Sequence, residues 1–126
     1  MEVEKVDFVS VLTEDIGRAK RFYADTLGLP VESESENDLE FTLGQVTLDV
    51  FDPSSIGQPF APSPAGFAIR VPDVAAARAE LEAKGVEFDG EIVHTRVCDM
   101  TFFKDPDGNA LILHRRFAPF PDGRMP

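Results

Sequence analysis

The sequence predicts an α+β fold in which a unit of one strand, one helix and three strands occurs twice. Asp15 and Asp73 each stand between a strand pattern and a helix pattern, 58 positions apart, and Gly28 and Gly85 each end that helix pattern, 57 positions apart. Nearly constant offsets are typical of an internal duplication with small loop changes. Neither copy is large enough to bury its own sheet, so we expect the two sheets to combine around a shared cleft.

The first module is predicted over about residues 5–52. Residues 6–12 are rich in β-branched and aromatic side chains, which favours a strand, and the following Thr13-Glu14-Asp15 favours the start of a helix. From Ile16 to Leu27 apolar residues recur at three- and four-residue spacing, which predicts a helix that ends at Gly28. Short alternating stretches then predict three strands, at 31–35, 39–43 and 46–51.

The second module is predicted over about residues 65–116, after a linker of about residues 53–64 that is rich in proline, serine and glycine. A strand over 67–71 is followed by a helix over 74–84 that Gly85 ends. Three further strands are predicted, at 86–88, 97–103 and 110–114. The tail 117–126 is expected on the surface or at a partner interface. We therefore expect one domain over 1–126, built from two modules.

Composition and charge exclude several classes of partner. The chain has 126 residues, 12 basic and 23 acidic, with a net charge of −11, so nucleic acid and anionic membrane surfaces would be repelled. No apolar run approaches the roughly 20 residues of a membrane span, and the first residues lack the pattern of a signal peptide. The single cysteine, Cys98, forms no internal disulfide. A cytoplasmic location and a small-molecule partner are the expectations.

Three segments carry a resemblance to a known family. Residues 22–29 (FYADTLGL) end the first helix, residues 71–74 (VPDV) start the second, and residues 103–109 (FKDPDGN) form the last hairpin. At these spacings they resemble the vicinal oxygen chelate superfamily, which includes glyoxalase I, extradiol dioxygenases and bleomycin-resistance proteins. The resemblance covers roughly residues 5–116. It implies two βαβββ modules that form a curved mixed sheet around the cleft, which lies within one chain or across a homodimer; we expect a homodimer.

Metal-dependent members of that family hold one divalent ion with His, Gln or Glu side chains at four places. The resemblance carries those places over to Phe8, Asp49, Gly66 and Ile112, of which only Asp49 has a side chain that binds a metal. No metal and no cofactor is therefore expected, which argues against glyoxalase I and dioxygenase activities. One nonstandard metal site stays open as an alternative, formed by Asp49, His94 and His114.

Alternation along the strands assigns residues to the two sheet faces. The residues that point away from the cleft, such as Val11, Leu48 and Leu113, are uniformly apolar, as expected of side chains packed against helices. The cleft face combines aromatic, aliphatic and polar side chains, which is typical of a small-molecule pocket. The predicted ligand-binding residues are Phe8, Ser10, Asp49, Phe51, Arg70, Ile112 and His114.

Two of these residues are also candidates for acid or base catalysis. Burial of Asp49 would raise its pKa unless a cation offset the desolvation, so Asp49 either pairs with Arg70 or binds a ligand. His114 is either a general base or a structural residue at the edge of the cleft. The alternating acids from Glu32 to Glu40 are either a solvated sheet face or an acidic cleft wall for a cationic ligand.

Two functions follow from this pattern. The first is a metal-independent protein of the bleomycin-resistance type that binds a hydrophobic or cationic compound in the cleft. The alternative is an enzyme of the same fold, a lyase, isomerase or epimerase that uses Asp49 or His114 as acid or base. A partner-regulated module with a vestigial cleft is a third reading.

Overall fold

A computed structural model describes residues 1–126, and contacts within the chain divide them into two compact units. Unit 1 contains Met1–Ser63 together with Asp105–Asn109, and unit 2 contains Pro64–Lys104 together with Ala110–Pro126. Each unit has one four-stranded mixed sheet and one main helix. The predicted α+β class and the duplicated order of elements are confirmed.

Unit 1 has the strand order β1-β4-β3-β2, with β1 parallel to β4 and the other pairs antiparallel. A helix, α1, follows β1 and continues into a wider π-helical turn. The bounds are β1 Phe8–Leu12, α1 Ile16–Lys20, the π-helical turn Arg21–Thr26, β2 Val31–Glu34, β3 Asp38–Leu43 and β4 Val46–Phe51.

Local chemistry sets both ends of the first helix. The side chain of Asp15 accepts a hydrogen bond from the backbone N–H of Arg18 at 2.9 Å, which caps the helix at its start. The chain leaves the helix through Gly28, whose φ of 75° lies in the left-handed region that glycine adopts without strain. Ala19, Phe22 and Tyr23 are buried on the face toward the sheet. The predicted helix over 16–27 is confirmed, with its second half π-helical.

Unit 2 repeats this arrangement with the strand order β5-β8-β7-β6 and with β5 parallel to β8. Asp73 caps the helix α2 by accepting a hydrogen bond from the backbone N–H of Ala76 at 2.9 Å, and Gly85, with a φ of 91°, follows its end. Neither helix of the chain is long and apolar enough to cross a membrane. The bounds are β5 Phe67–Arg70, α2 Val74–Ala83, β6 Phe88–His94, β7 Cys98–Lys104 and β8 Ala110–Arg116.

One strand and the linker differ from the prediction. The strand predicted at 86–88 is wrong in its bounds, because β6 begins at Phe88 and continues to His94. The pairing of β6 with β7 shifts register between Asp89 and Val93, around Gly90 with its φ of 73°. This irregularity hides the alternation on which the prediction depended. In the linker, Pro53–Ile56 form one turn of 3₁₀ helix that starts at Asp52.

Each sheet buries one face and leaves the other open. In unit 1, Val11, Leu39, Phe41, Leu48 and Val50 are at most 4% exposed. The residues that alternate with them are more exposed and occupy the opposite face. The face assignment from alternation therefore agrees with the burial in this unit.

The segment Asp105–Asn109, which joins β7 to β8 along the chain, packs within unit 1 around a buried carboxylate. Asp105 accepts hydrogen bonds from the Tyr23 hydroxyl at 2.6 Å, from the Asn109 side-chain amide at 2.8 Å and from the backbone N–H groups of Asp107 and Asn109. Asn109 also donates to the carbonyl of Leu12 at 2.8 Å. Because every one of these groups is paired, the network stabilises the end of β1 and the helix that follows it.

Replacement of Tyr23 by phenylalanine tests this network. Tyr23→Phe removes one donor to a buried carboxylate while it keeps the ring, so we expect the free energy of unfolding to fall by about 2 kcal/mol. Urea unfolding at neutral pH measures the change. Thr42→Val, which removes an exposed hydroxyl from β3, is the control and should stay within about 0.5 kcal/mol of the parent protein. Equal stability of the Tyr23→Phe variant and the parent would contradict this role for the network.

Candidate functional site

The open face of the unit 1 sheet contains a cavity of about 450 Å³. Strands β1 and β4 form its floor, and the start of β3 and the 3₁₀ turn contribute to its rim. Aromatic rings and carboxylates line it together, and no basic side chain is among the lining residues. These are Phe8, Ser10, Asn37, Asp38, Asp49, Phe51 and Ser55.

Three carboxylates come together beside this cavity because of the strand register. Asp49 on β4 lies opposite Glu40 on β3, and Asp38 lies opposite Phe51, one pair further along the same face. A carboxylate oxygen from each of Asp38, Glu40 and Asp49 lies within 4.8 Å of the other two. The Ser35 hydroxyl donates a hydrogen bond to Asp38 at 2.7 Å, which fixes this side chain at the rim. The arrangement concentrates carboxylates beside the aromatic rings of Phe8 and Phe51.

The surroundings of Asp49 raise its pKa. Desolvation by burial is the largest cause, followed by a hydrogen bond with Asp38 and by the negative charges of Asp38 and Glu40. Together they raise the pKa of Asp49 from its ordinary 3.8 to about 6. Its Oδ1 atom is buried and has no hydrogen-bond partner. A cation placed beside this carboxylate would relieve both the desolvation and the repulsion.

The acidic run from Glu32 to Glu40 divides between the two sheet faces. Its members do not collect on one face, because Glu34 lies opposite the buried Leu39, whereas Glu40 lies opposite Ser33. Glu34 instead forms an ion pair with Lys20 of α1 at 2.7 Å. Of this run, Asp38 lines the cavity, and Glu40 belongs to the carboxylate cluster beside Asp49. The hypothesis of an acidic cleft wall therefore applies to these two residues alone.

The net negative charge of the chain lies entirely in unit 1. Unit 1 contains 15 acidic and 4 basic residues, whereas unit 2 contains eight of each. The whole −11 is therefore on the unit that holds the cavity. A field of this sign raises the local concentration of cations and slows the approach of anions.

The other predicted site residues belong to unit 2. Arg70 and His114 are register partners on β5 and β8, and Ile112 pairs with Ala68 on the same face, opposite the buried Leu111 and Leu113. Arg70 is exposed on β5. Its pairing with Asp49 stays a prediction. Within unit 1 the charged neighbours of Asp49 are the acids Asp38 and Glu40.

The structure contradicts the alternative metal site of Asp49, His94 and His114. His94 pairs with Asp99 in the register of β6 and β7, and His114 pairs with Met100 on β7. Successive residues of a strand point to opposite faces, so the two histidines lie on opposite faces of the unit 2 sheet. The Nδ1 atom of His94 lies 2.7 Å from Asp99 Oδ1, which gives this imidazole a local partner.

Sequence reasoning missed three residues that line the cavity, namely Asn37, Asp38 and Ser55. Asn37 and Ser55 lie outside the strands, where alternation assigns no face. Asp38 was visible as a member of the acidic run, but only the register of β3 on β4 shows that it stands beside Asp49. The turn before β3 and the 3₁₀ turn after β4 thus contribute cavity-lining residues that alternation along the strands does not predict.

Comparisons with known proteins identify relatives over nearly the whole chain. A model of the Glyoxalase/Bleomycin resistance protein/Dioxygenase superfamily matches residues 5–113, which confirms the resemblance seen in the sequence. The uncharacterised protein YaeR of Escherichia coli K12 is 30% identical over 127 residues, which span 90% of this chain and 98% of YaeR.

Solved structures agree with this result. TnmS3, an antibiotic binding protein from Streptomyces sp. CB03234, is 28% identical with a TM-score of 0.76, over 92% of this chain and 98% of that protein. A lactoylglutathione lyase from Agrobacterium tumefaciens has a TM-score of 0.75 at 19% identity, over 90% of this chain and 94% of that one, and shows the same fold.

The pKa of Asp49 predicts how stability depends on pH. In the unfolded chain Asp49 titrates near 3.8 and in the folded protein near 6, so the folded state holds an extra proton between these values. Stability therefore falls as the pH rises through that window. Asp49→Asn should raise the free energy of unfolding by about 1 kcal/mol at pH 7.5, less than the shift alone implies because solvent screens a partly exposed group.

At pH 4 the gain from Asp49→Asn should disappear, since Asp49 is then protonated in the folded parent protein. Urea unfolding at the two pH values measures the difference. Glu36→Gln removes a charge at an exposed position outside the cavity and serves as the control. A gain that is the same at both pH values would contradict the assignment.

Proposed function

Because the chain belongs to the glyoxalase/bleomycin resistance protein/dioxygenase superfamily, we propose that it binds a hydrophobic small-molecule cation in the cavity of unit 1, without a metal ion. The observation that carries this proposal is the pairing of aromatic walls with carboxylates that have no basic partner. The side chain of Asp49 is the anchor for the cationic group. The ligand is held and sequestered rather than transformed.

The walls supply the apolar part of the interaction. Phe8 is 57% exposed and Phe51 is half-buried, so a bound compound can cover substantial ring surface. Burial of apolar surface contributes about 25 cal/mol per Å², and a cation over an aromatic face adds about 0.5–2 kcal/mol. A cation therefore gains from both the rings and the carboxylates, whereas an anion is repelled by the same wall.

The relatives support a binding role. TnmS3, at 28% identity, is an antibiotic binding protein. Binding of an antibiotic is therefore known for a protein at this level of similarity. A homodimer and a cytoplasmic location, both expected from the sequence, stay predictions.

The residues present do not fit the metal site of the family. Phe8 and Ile112 have no donor atoms, and Gly66 has no side chain, so Asp49 is alone among the four places that the resemblance implies. The acids beside Asp49 are its neighbours on β3 rather than residues at those places. The proposal accordingly uses these carboxylates to hold an organic cation.

Calorimetry with a defined cation tests the proposal. We expect benzyltrimethylammonium to bind more tightly than uncharged benzyl alcohol, with an affinity that EDTA does not change. Asp38→Asn and Asp49→Asn should each weaken binding of the cation about tenfold, since each removes one partly buried charge interaction. Glu36→Gln, outside the cavity, should leave it unchanged. Equal binding of the two probes, or displacement of the cation by stoichiometric Mn²⁺, would overturn the proposal.

The affinity for the cation should also depend on pH. Protonation of Asp49 removes its charge, so affinity should fall as the pH is lowered through about 6. The dependence should flatten in Asp49→Asn, which has no group to titrate at this position. The same calorimetric titration at pH 5 and pH 7.5 measures it, and a pH-independent affinity in the parent protein would contradict the role of Asp49.

An enzyme with Asp49 as its acid or base is the second candidate function. The pKa of about 6 favours it, because a general base works best when its pKa lies near the working pH. Turnover of a cavity ligand, abolished by Asp49→Asn while the variant still binds the ligand, would support this function. Turnover measured in His114→Ala shows whether His114, rather than Asp49, is the base. If the parent protein releases its ligand slowly and unchanged, the enzyme function is excluded.

A further inference from the structure

The floor of the cavity in unit 1 has a polar middle and an aromatic ring at each end. In the register of the parallel strands β1 and β4, Ser10 stands opposite Asp49. Phe8 precedes Ser10 by two residues, and Phe51 follows Asp49 by two residues, so all four side chains share one face. A strand rises about 3.3 Å per residue, which places each ring about 6.6 Å along the strands from this pair. The two rings therefore flank the carboxylate in opposite directions.

The middle of the floor offers two kinds of hydrogen-bond acceptor to a single nitrogen atom. Asp49 supplies a carboxylate, and the exposed Ser10 supplies a hydroxyl oxygen. Adjacent strands lie about 4.8 Å apart, so a nitrogen between the two side chains reaches both. A secondary ammonium group has two N–H donors and two carbon substituents. It can therefore satisfy both acceptors and still extend a substituent toward each end of the floor.

The rings at the two ends are both available to a ligand. Phe8 is 57% exposed and Phe51 is half-buried, and both line the cavity of about 450 Å³. A ligand with its charge at one end and its apolar part at the other covers only one ring while its nitrogen stays at Asp49. Covering both rings requires apolar groups on both sides of the charge.

We propose that the cavity takes a secondary amine with an apolar, preferably aromatic, arm on each side of the nitrogen. The ammonium group lies between Asp49 and Ser10, one arm packs on Phe8, and the other packs on Phe51. The cavity has a volume within the ordinary range for small-molecule sites. This proposal rests on the proposed function, because it names the class of cation that the same site binds.

Two amines with the same number of rings test the arrangement by calorimetry. Bis(phenylethyl)amine carries one ring on each side of its nitrogen, whereas biphenylethylamine carries both rings on one side. We expect the two-armed amine to bind about tenfold more tightly, because it covers both phenylalanines while its nitrogen stays at Asp49. Benzyl alcohol is the uncharged reference, and both amines should bind more tightly than it does.

Truncation of each ring shows where the arms lie. Phe8→Ala and Phe51→Ala should each weaken binding of bis(phenylethyl)amine about fivefold, whereas at most one of them should weaken binding of biphenylethylamine. Phe51→Leu keeps an apolar side chain at the half-buried position and should cost about threefold if Phe51→Ala does not fold. Phe117→Ala truncates an exposed phenylalanine of unit 2 and is the matched control, with both affinities unchanged.

Two results would overturn this proposal while the proposed function stands. One is equal binding of the two amines, with both bound more tightly than benzyl alcohol. The other is a loss of affinity for bis(phenylethyl)amine at only one of the two phenylalanines, which places both arms at one end of the floor. If neither amine binds more tightly than benzyl alcohol, this proposal and the proposed function both fail.

Discussion

A single helix covers one face of each four-stranded sheet, and this imbalance is the constraint on which the rest of the molecule depends. Under the helix the strands present apolar residues such as Phe41 and Val50, which are fully buried. With a side-chain period of two, the alternate positions must then stand on the uncovered face. That face has no packing requirement, so polar and charged residues are tolerated there at modest cost. The site is therefore a consequence of how the core is built.

The uncovered face of unit 1 carries a cluster of acidic side chains. Register places Glu40 beside Asp49, and the rim adds Asp38, so that the pKa of Asp49 rises to about 6. Clustered carboxylates without a basic partner destabilise the folded protein at neutral pH. Such a cost is typical of functional sites, where local strain is retained because binding relieves it. A bound cation would provide that relief.

Much of the fold was predictable from local chemistry, because caps and glycines act over a few residues. Asp15 and Asp73 start the helices, and Gly28 and Gly85 end them, as their sequence context indicates. Alternation along the strands also predicted that Asp49 lies on the sheet face away from the helix. Two features were not predictable, since they depend on strand register: the division of the acidic run, set by the pairing of β2 with β3, and the bounds of β6, set by the shift around Gly90. A shift of one residue moves side chains to the other face, and residue types alone do not locate it.

The central claim is that burial and the neighbouring acids raise the pKa of Asp49 in the free protein and that a bound cation lowers it again. A carbon-13 NMR titration of the Asp49 carboxyl group tests this most directly. The free protein should titrate at about pH 6, and saturation with benzyltrimethylammonium should move the midpoint to lower pH, because a nearby positive charge favours the ionised carboxylate. A midpoint near the ordinary aspartate value in the free protein, or one that the cation leaves in place, would contradict the account.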